Sequence, residues 1–254
     1  TTPKKTADLL VTRGFGKSEI TVLEHLDGVK EKKFSGRADT WQHLAGADLN
    51  AMAIECIPVR STDVIPRISG LPDEAFNHDG QLTKCEIRAV ALSKLMPIGD
   101  QVLWDVGAGC GSVAIEWMRS HPRCMAIAIE KSKTRLKMIE QNAIKLGVPL
   151  LKIIPGTLTQ VVENLPLPDA IFVGGGLSNS NQHGSNSLLD ICWKLLKPGG
   201  RLVAHAVTFE TEQQLLSWHK INGGDLTRLS ISRADSIGKF NGWKPLRPVT
   251  QYSV

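Results

Sequence analysis

Short apolar runs alternate with amphipathic stretches along the second half of the chain. Apolar runs bounded by glycine, proline or charged residues predict buried strands at 101–106, 124–129, 152–155, 170–173 and 201–205. Stretches with helical spacing predict helices at 112–119, 133–146, 158–165, 187–196 and 210–221. Strands that alternate with helices in this way are typical of a parallel, doubly wound α/β sheet. Two more runs, 226–232 and 249–253, predict strands near the end of the chain.

One more helix is expected just before this alternation begins. Asp79 and Gly80 form a turn signal. Thr83 follows as a candidate N-cap, with Glu86 three residues later in the spacing of a capping box. The helix is expected to run to about Leu95, because a proline stands at position 97.

The first 58 residues have a shorter and different pattern. A predicted helix at 6–13 is followed by three candidate strands at 20–26, 30–34 and 51–57. So few elements bury too little surface to make a full domain. Proline and glycine residues then indicate a linker. We therefore expect the last part of one domain at 1–58, a linker at 59–75 and an α/β domain at 76–254.

The first predicted strand of the α/β domain runs into a glycine loop, D-V-G-A-G-C-G, at 105–111. Alternate glycines let the backbone turn sharply and leave no Cβ atoms in the way of a ligand. The N–H groups of the following helix point at that ligand. The order D-x-G-x-G-x-G differs from the G-x-G-x-x-G of dinucleotide sites. It resembles the first motif of Rossmann-like S-adenosylmethionine-dependent methyltransferases.

Residues at the ends of the other predicted strands are candidates as well, because ligands of parallel sheets bind beyond the carboxyl ends of the strands. Glu130 follows the second strand, where a carboxylate can accept both ribose hydroxyls of a nucleoside; the alternative is a charge that the dipole of the next helix favours. Gly156, Thr157 and Leu158 follow the third strand, where a backbone amide and an apolar side chain can hold an adenine. His205 ends the fifth strand.

Composition narrows the choice of partners. A net charge of +5 allows nucleic acid or a polyanionic small molecule, but an aromatic content of 5% is too low for an obvious base-stacking platform. No apolar run approaches the ~20 residues of a membrane span. Five cysteines without a C-x-x-C pair predict reduced thiols rather than disulfides or zinc ligands. The start, without methionine or an apolar signal segment, leads us to expect a fragment or processed chain from the cytoplasm.

The residues after the fourth predicted strand, G-G-G at 174–176, bear on the type of reaction. Methylation of an exocyclic base amine uses an Asn/Asp-Pro-Pro-aromatic motif at this place, and cytosine C5 chemistry needs a cysteine after a proline; the sequence has neither. Three glycines offer bare backbone to a flat substrate, or else form a loop without contacts. An RNA methyltransferase and a regulatory module that binds the cofactor without turnover remain as alternatives.

Four motifs occur together and in order: G-L-P-D at 70–73, H-D-G-Q-L-T-K-C-E-I-R at 78–88, the glycine loop with its flanks at 103–111 and 115–117, and I-F-V-G-G-G at 171–176. With S-R-A at 232–234, G-W at 242–243 and P-V-T-Q at 248–251, they resemble the precorrin-6Y C5,15-methyltransferase (decarboxylating) family of cobalamin biosynthesis. The similarity extends from about Gly70 to Val254. Residues 1–58 resemble the end of the family's C5-methylating half, without the glycine-rich cofactor loop of that half.

This resemblance implies a Rossmann-like class I fold, with a mostly parallel seven-stranded sheet and an antiparallel edge hairpin formed by the last two strands. It implies S-adenosylmethionine-dependent methylation of a precorrin tetrapyrrole at C15, with loss of CO2 from the ring C acetate (precorrin-6B towards precorrin-8X). It also implies a homo-oligomer, a tetramer. From the composition and the cysteine spacing we expect a cytoplasmic protein with no nucleic acid, membrane or metal partner.

The resemblance also implies roles for individual residues. Contacts to S-adenosylmethionine are expected from Thr83, Gly107, Ala108, Gly109, Cys110, Gly111, Glu130, Thr157 and Leu158. Contacts to the carboxylate-rich substrate are expected from Lys84, Arg88, Gly174, Gly175, Gly176 and Arg233. His78 and Asp79 are candidates for moving a proton on the macrocycle. The plainer alternatives are surface charges for the three basic residues, and a turn before the helix for His78 and Asp79.

Overall fold

The computed structural model describes residues 2–43, 46–59, 64–177 and 187–254. The chain forms two compact units, Thr1–Ile65 and Pro66–Val254. The linker expected at 59–75 spans this division, and its residues 60–63 lie outside the described part. The last residues of that linker are packed within the second unit, where Leu71 and Asp73 are buried.

The first unit is built on a three-stranded antiparallel sheet in the order β2-β1-β3. Its elements are α1 (Pro3–Thr12), β1 (Glu19–Glu24), β2 (Lys32–Arg37), a 3-10 turn (Ala38–Thr40) and β3 (Asn50–Glu55). Ile20 and Val22 point to the same face of β1 and form a small core with Ala7 and Trp41. The predicted helix and three strands are present, with ends that differ by one to three residues.

The second unit contains a seven-stranded sheet in the order β6-β5-β4-β7-β8-β12-β9. Its strands are β4 (Val102–Val106), β5 (Met125–Glu130), β6 (Lys152–Pro155), β7 (Ala170–Val173), β8 (Arg201–Ala206), β9 (Asp225–Leu229) and β12 (Val249–Ser253). The first five are parallel, and β12 lies antiparallel between β8 and β9. The central strands are buried on both faces, which explains why they appear in the sequence as unbroken apolar runs. The predicted α/β fold is confirmed.

One helix precedes β4 and the others follow the parallel strands, and together they complete the second unit. They are α2 (Cys85–Leu95), α3 (Ser112–Ser120), α4 (Lys133–Lys145), α5 (Leu158–Val161), α6 (Leu188–Leu195) and α7 (Phe209–Asn222), with 3-10 turns at Asp73–Ala75 and Val162–Asn164. Trp104, Ile171 and Leu202 of the sheet share one core with Leu189 of α6 and Trp218 of α7. Among the described helices, none is long and apolar enough to cross a membrane.

The predicted capping box at Thr83 is wrong. Helix α2 begins one residue later than expected, with Lys84 as its N-cap and no side-chain cap from that residue. The backbone N–H of Cys85 is instead bound by Asp73, whose Oδ1 lies 2.9 Å away. A carboxylate from twelve residues earlier in the chain therefore takes the place of the local cap, which a search of local spacing cannot find.

A two-stranded antiparallel ribbon lies between β9 and β12 along the chain, although β9 and β12 still pair with each other. Strands β10 (Ser232–Ile237) and β11 (Phe240–Pro245) pair with each other between β9 and β12. Most of their residues are exposed, including the large apolar side chains of Ile237, Phe240 and Trp243. Because neither face of the ribbon is buried in this chain, its sequence has no alternating pattern that would predict strands.

Candidate active site

The carboxyl ends of the parallel strands border a single large cavity of about 1050 Å³. Its wall includes the glycine loop after β4, the residue that ends β5, the turn after β6, the glycines after β7 and the end of β8. The segment 80–84, before α2, closes it from another side, as do Leu246 and Arg247, just before β12, and Val249, its first residue. The cavity exceeds what one nucleoside needs, since pockets for drug-sized ligands measure about 300–1000 Å³.

The glycine loop presents bare backbone to this cavity. Gly107 has a φ of 70° and approaches Gly175 so closely that a Cβ on Gly107 would lie 2.9 Å from the Cα of Gly175. Gly109, with a φ of 59°, has open space on its Cβ side, where the nearest atom is the Gln81 carbonyl oxygen at 3.6 Å. Gly107 is therefore needed for packing against the second glycine loop, whereas Gly109 leaves room on the wall of the pocket.

Glu130 joins the end of β5 to the glycine loop. Its Oε2 accepts the backbone N–H of Gly109 at 2.9 Å, and its Oε1 accepts that of Ser132, the N-cap of α4, also at 2.9 Å. The side chain lies on the pocket wall and is nearly buried. Each oxygen of a carboxylate can accept a second hydrogen bond, so the predicted ribose contact and the predicted role at the helix terminus are compatible.

Asp105 lies beneath the loop and is fully buried. Its Oδ2 accepts the backbone N–H of Ala114, in the first turn of α3, at 3.0 Å. Burial and, to a smaller extent, the nearby Glu130 charge raise the pKa of this carboxyl from 3.8 to about 7. The Ala114 hydrogen bond lowers the pKa and partly offsets this rise. Asp105 lines the same pocket, so a cationic ligand there would favour its ionised form.

The turn after β6 provides an apolar wall. Leu158 is buried and, like Thr157, lines the pocket. The backbone N–H of Thr157, expected to be available to an adenine, instead donates to Oε1 of Gln160 at 3.0 Å. The apolar side chain of Leu158 is therefore the part of this prediction that the geometry favours.

His205 and the glycines after β7 form the far wall. Gly174 has no room for a side chain, because a Cβ there would lie 2.8 Å from the ring of Phe172. The Phe172 ring in turn stands edge-on to the imidazole of His205, with centroids 4.9 Å apart. Burial lowers the pKa of His205 from 6.5 to about 4, which keeps the ring neutral at neutral pH.

Comparisons with known proteins identify the family. The family model described as "Precorrin methyltransferase domain" matches residues 74–254. The chain belongs to this family. It is 32% identical to a cobalt-precorrin-6B C(15)-methyltransferase (decarboxylating) from Salmonella typhi, over 70% of this chain and 92% of the relative. A crystal structure of the C-terminal domain of precorrin-6Y C5,15-methyltransferase from Rhodobacter capsulatus is similar, with a TM-score of 0.67, 40% identity, and coverage of 74% of this chain and 98% of that one.

Longer members of the family extend beyond this sequence. The chain is 43% identical to a precorrin-6Y C(5,15)-methyltransferase [decarboxylating] from Sinorhizobium sp, over 99% of this chain but 59% of the relative. The resemblance expected from the motifs is thus confirmed. The chain spans about three fifths of the length of these relatives.

Two of the basic residues expected to bind substrate are structural in this precorrin methyltransferase domain. Arg88 is fully buried between α2 and α3, with Nε 2.5 Å from Oε1 of Glu116, and its other nitrogens donate to the carbonyls of Thr83 and Leu71. Arg233 binds both carboxylate oxygens of Glu86, at 3.1 and 2.6 Å, and Oδ2 of Asp73 at 2.9 Å. Neither residue lines the cavity, so the geometry favours structural roles for both over the predicted substrate clamps.

Two residues of the glycine loop also lie away from the cavity. Cys110 is buried, and its carbonyl accepts a hydrogen bond from Asn142 at 3.0 Å. Gly111 is the N-cap of α3, and a Cβ on it would lie 2.9 Å from Ile139. Neither residue is part of the cavity wall. The geometry therefore favours a role for Cys110 and Gly111 in fixing the position of the loop over the predicted cofactor contacts.

His78 and Asp79 form the turn that precedes the segment 80–84. Nδ1 of His78 accepts the backbone N–H of Gly80 at 3.0 Å, and Oδ1 of Asp79 accepts that of Gln81 at 3.1 Å. Oδ2 of Asp79 binds Nε of Arg135 at 2.8 Å, and this hydrogen bond lowers the pKa of Asp79. The alternative of a structural turn fits this geometry better than proton transfer, because neither residue lines the cavity.

Three basic residues on the cavity wall were not predicted from the sequence: Lys131, Arg135 and Arg247. Together with the predicted Lys84 they make the wall basic. Arg135 also binds Oε1 of Gln81 at 2.6 Å, which fixes the turn over the pocket. The local signal for Arg135 was weak: it lies in the first turn of the helix after Glu130. Arg247 lies in an irregular segment, where the spacing of residues does not indicate which way a side chain points.

Proposed function

We propose that this chain uses S-adenosylmethionine to methylate C15 of a precorrin, with loss of CO2 from the ring C acetate, in the step from precorrin-6B towards precorrin-8X. Residues 76–254 would form the catalytic domain, and residues 1–58 would be the end of a C5-methylating domain. The family membership supports the reaction class. The relatives' names favour it over the RNA methyltransferase alternative.

The donor set on the pocket wall fits the methyl donor. Gly107, Ala108 and Gly109 offer backbone without bulky side chains, and Glu130 offers free lone pairs to a diol. Asp105 and Glu130 supply negative charge near a cationic ligand, and Leu158 supplies an apolar surface. The single observation that best supports the proposal is the Glu130–Gly109 contact on the wall of one large cavity. Thr83 lines the cavity too and remains a proposed cofactor contact.

The rest of the cavity fits a flat, polyanionic substrate. Gly174, Gly175 and Gly176 provide bare backbone, and Lys84 provides a cation on the same wall. Arg247 is exposed there and is a second candidate for binding a carboxylate. Bound to this domain, the sulfonium cofactor supplies an electrophilic methyl group. The contribution of the protein is to hold the ring carbon in line with that methyl group and to exclude water.

We further propose that the domain assembles as a cytoplasmic homo-oligomer, a tetramer as the family resemblance implies. The ribbon of β10 and β11 supports this proposal. A two-stranded ribbon is marginal by itself, and this one exposes Phe240 and Trp243 by 79% and 78%. Contact with other copies would cover these side chains.

The proposal is tested by anaerobic incubation of the chain with precorrin-6B and methyl-labelled S-adenosylmethionine, followed by mass analysis. Gain of one labelled methyl group together with loss of one CO2 is the expected result. A methyl group on added RNA, but not on the precorrin, would support the RNA methyltransferase instead. Tight cofactor binding without any turnover of the precorrin would support the regulatory module.

A further inference from the structure

His205 is a buried imidazole for which the roles described so far give no explanation. It lies near the carboxyl end of β8, is 9% exposed, and lines the pocket together with Phe172 and Gly174. The planes of the His205 and Phe172 rings are nearly perpendicular, at 88°. Since Phe172 is itself buried, the imidazole is held in a defined orientation.

The hydrogen-bond partner of His205 fixes the protonation of its ring. Gln251 is the directly opposite residue on β12, and its Oε1 lies 2.9 Å from Nε2 of His205. A carbonyl oxygen only accepts, so Nε2 donates, and the neutral ring has its unprotonated nitrogen at Nδ1. Within the described part of the chain, Nδ1 has no hydrogen-bond partner.

Gln251 is not explained by packing. Its Nε2 is buried without a hydrogen-bond partner among the described residues, which costs stability. An apolar residue at this position would avoid that cost. We conclude that Gln251 serves to accept the hydrogen bond from His205 and so holds Nδ1 ready as an acceptor.

Asp105 also lines the pocket, and its raised pKa of about 7 suits proton transfer, so Asp105→Asn is needed beside His205→Gln to identify the carrier. Glu130 accepts hydrogen bonds from two backbone N–H groups. Asp105 lies beneath the glycine loop and accepts a hydrogen bond from Ala114. His205 is the one imidazole on the described wall of the cavity.

The proposed reaction needs a group that takes up a proton and returns it, because its two halves balance in protons. When a methyl group replaces hydrogen on a ring carbon, one proton is released as the C–H electron pair returns to the conjugated ring system. When an acetate becomes a methyl group, the C–CO2 bond breaks, CO2 leaves and its electron pair enters the ring system. The exocyclic carbon then takes up one proton. The first half therefore releases one proton, and the second half requires one proton.

On the basis of this proposed function, we propose that His205 is a catalytic residue that carries one proton from C15 to the carbon that has lost CO2. Nδ1 accepts the proton that leaves C15, and the imidazolium then donates it to the exocyclic carbon. Gln251 is a positioning residue, which keeps Nδ1 towards the pocket. Burial makes the imidazolium more acidic than it is in water, which favours return of the proton.

Deuterium at C15 of the substrate tests this path directly. With the wild-type chain in H2O, part of the product should have deuterium in the methyl group at ring C, detected by NMR and mass analysis. If the wild-type product gains its methyl group and loses CO2 but has no deuterium at ring C, the proton escapes to solvent and the proposal is overturned. If the wild-type chain adds no methyl group, the proposed function itself fails.

Variants identify the carrier. His205→Gln should lower the rate about 100- to 10,000-fold and abolish deuterium transfer in the residual product, while S-adenosylhomocysteine binding is kept. Asp105→Asn should retain the transfer, even where cofactor binding is weaker. His121→Gln is a matched control, because His121 lies between α3 and the amino end of β5, is not on the cavity wall, and accepts the backbone N–H of Arg123. Unchanged transfer in His205→Gln would overturn the proposal.

The protonation of the His205 ring can also be measured without an activity assay. In protein labelled with nitrogen-15 in histidine, NMR should show His205 as a neutral ring protonated at Nε2. Gln251→Leu should allow a mixture of the two neutral tautomers and lower the rate of both half-reactions. A His205 ring protonated at Nδ1 in the wild-type protein would contradict the role assigned to that nitrogen.

Discussion

The guanidinium of Arg88 and the carboxylate of Glu116 form a fully buried ion pair, with Nε 2.5 Å from Oε1, that joins α2 to α3. The same carboxylate accepts the backbone N–H groups of Gly70 and Leu71 at 2.6 and 3.0 Å. The segment that leads to the pocket is therefore attached to the helix after the glycine loop through one buried charge. Arg88, which the sequence analysis expected to bind substrate, therefore has a structural role in this network.

Replacing Arg88 should destabilise the fold rather than weaken substrate binding. Arg88→Met leaves the Glu116 carboxylate buried without its cation, and loss of one partner of a buried pair costs about 3–5 kcal/mol. Urea unfolding should report this loss. Arg123→Met is the control, because Arg123 pairs with Asp100 at the surface, where such pairs contribute about 1 kcal/mol or less. Wild-type stability with a raised KM for the precorrin would restore the clamp hypothesis.

Glu130→Gln should weaken binding of S-adenosylhomocysteine. The amide cannot replace both acceptor oxygens of the carboxylate, and hydrogen bonds to charged groups contribute about 1.5–3 kcal/mol. The dissociation constant from calorimetry should therefore rise about 10- to 100-fold. Glu140→Gln, at an exposed position of α4, should bind like the wild type. Unchanged affinity in Glu130→Gln would mean that Glu130 joins the glycine loop to α4 but does not bind the cofactor.

Two neighbouring glycines should respond differently to the same substitution. Gly107→Ala places a methyl group 2.9 Å from backbone atoms of Gly175, in addition to the strain of a left-handed φ. Gly109→Ala has the φ strain alone, about 1–2 kcal/mol, and its methyl group points to open space beside Gln81.

Urea unfolding should therefore show the larger loss for Gly107→Ala. Calorimetry should show that Gly109→Ala remains folded but binds S-adenosylhomocysteine more weakly. Equal destabilisation by the two substitutions would indicate that the loop after β7 moves away from Gly107 at little cost.

The elements that could be predicted are those whose residues are buried within the sheet. Strand β7 is apolar along its whole length and β4 at every position except Asp105, so their position could be inferred from sequence alone. The direction of a charged side chain could not: Arg88 and Lys84 lie four residues apart, yet one is buried against Glu116 and the other lines the pocket. The Arg88 ion pair connects residues 28 positions apart, and no local pattern records such a partner.

Substitutions in the ribbon should change the size of the assembly. Phe240→Ser and Trp243→Ser remove apolar side chains that are exposed on β11, so the mass measured by light scattering should fall while the domain stays folded. Ile221→Ser is the control, because Ile221 is equally exposed, at 82%, but lies at the end of α7. An unchanged mass in the two ribbon variants would exclude the ribbon as the contact surface.

Asp105 should make the stability of the protein depend on pH. Burial raises the pKa of its carboxyl from 3.8 to about 7. A carboxyl with a higher pKa in the folded protein binds its proton more tightly there than in the unfolded chain. Its stabilising contribution is complete below about pH 4 and is lost as the pH rises through 7. His205 acts in the opposite direction, because burial lowers its pKa to about 4, so stability is lost as the pH falls from 6.5 to 4.

Urea unfolding of Asp105→Asn and of the wild type at a series of pH values separates these two effects. Between pH 4 and pH 7 the wild type should lose stability relative to Asp105→Asn, because the asparagine does not titrate. His205→Gln should show the reverse difference from the wild type over the same range. A stability difference between wild type and Asp105→Asn that stays constant from pH 4 to pH 8 would mean that Asp105 titrates alike in the folded and unfolded chains. The carboxyl beneath the glycine loop would then be ionised before any cationic ligand binds.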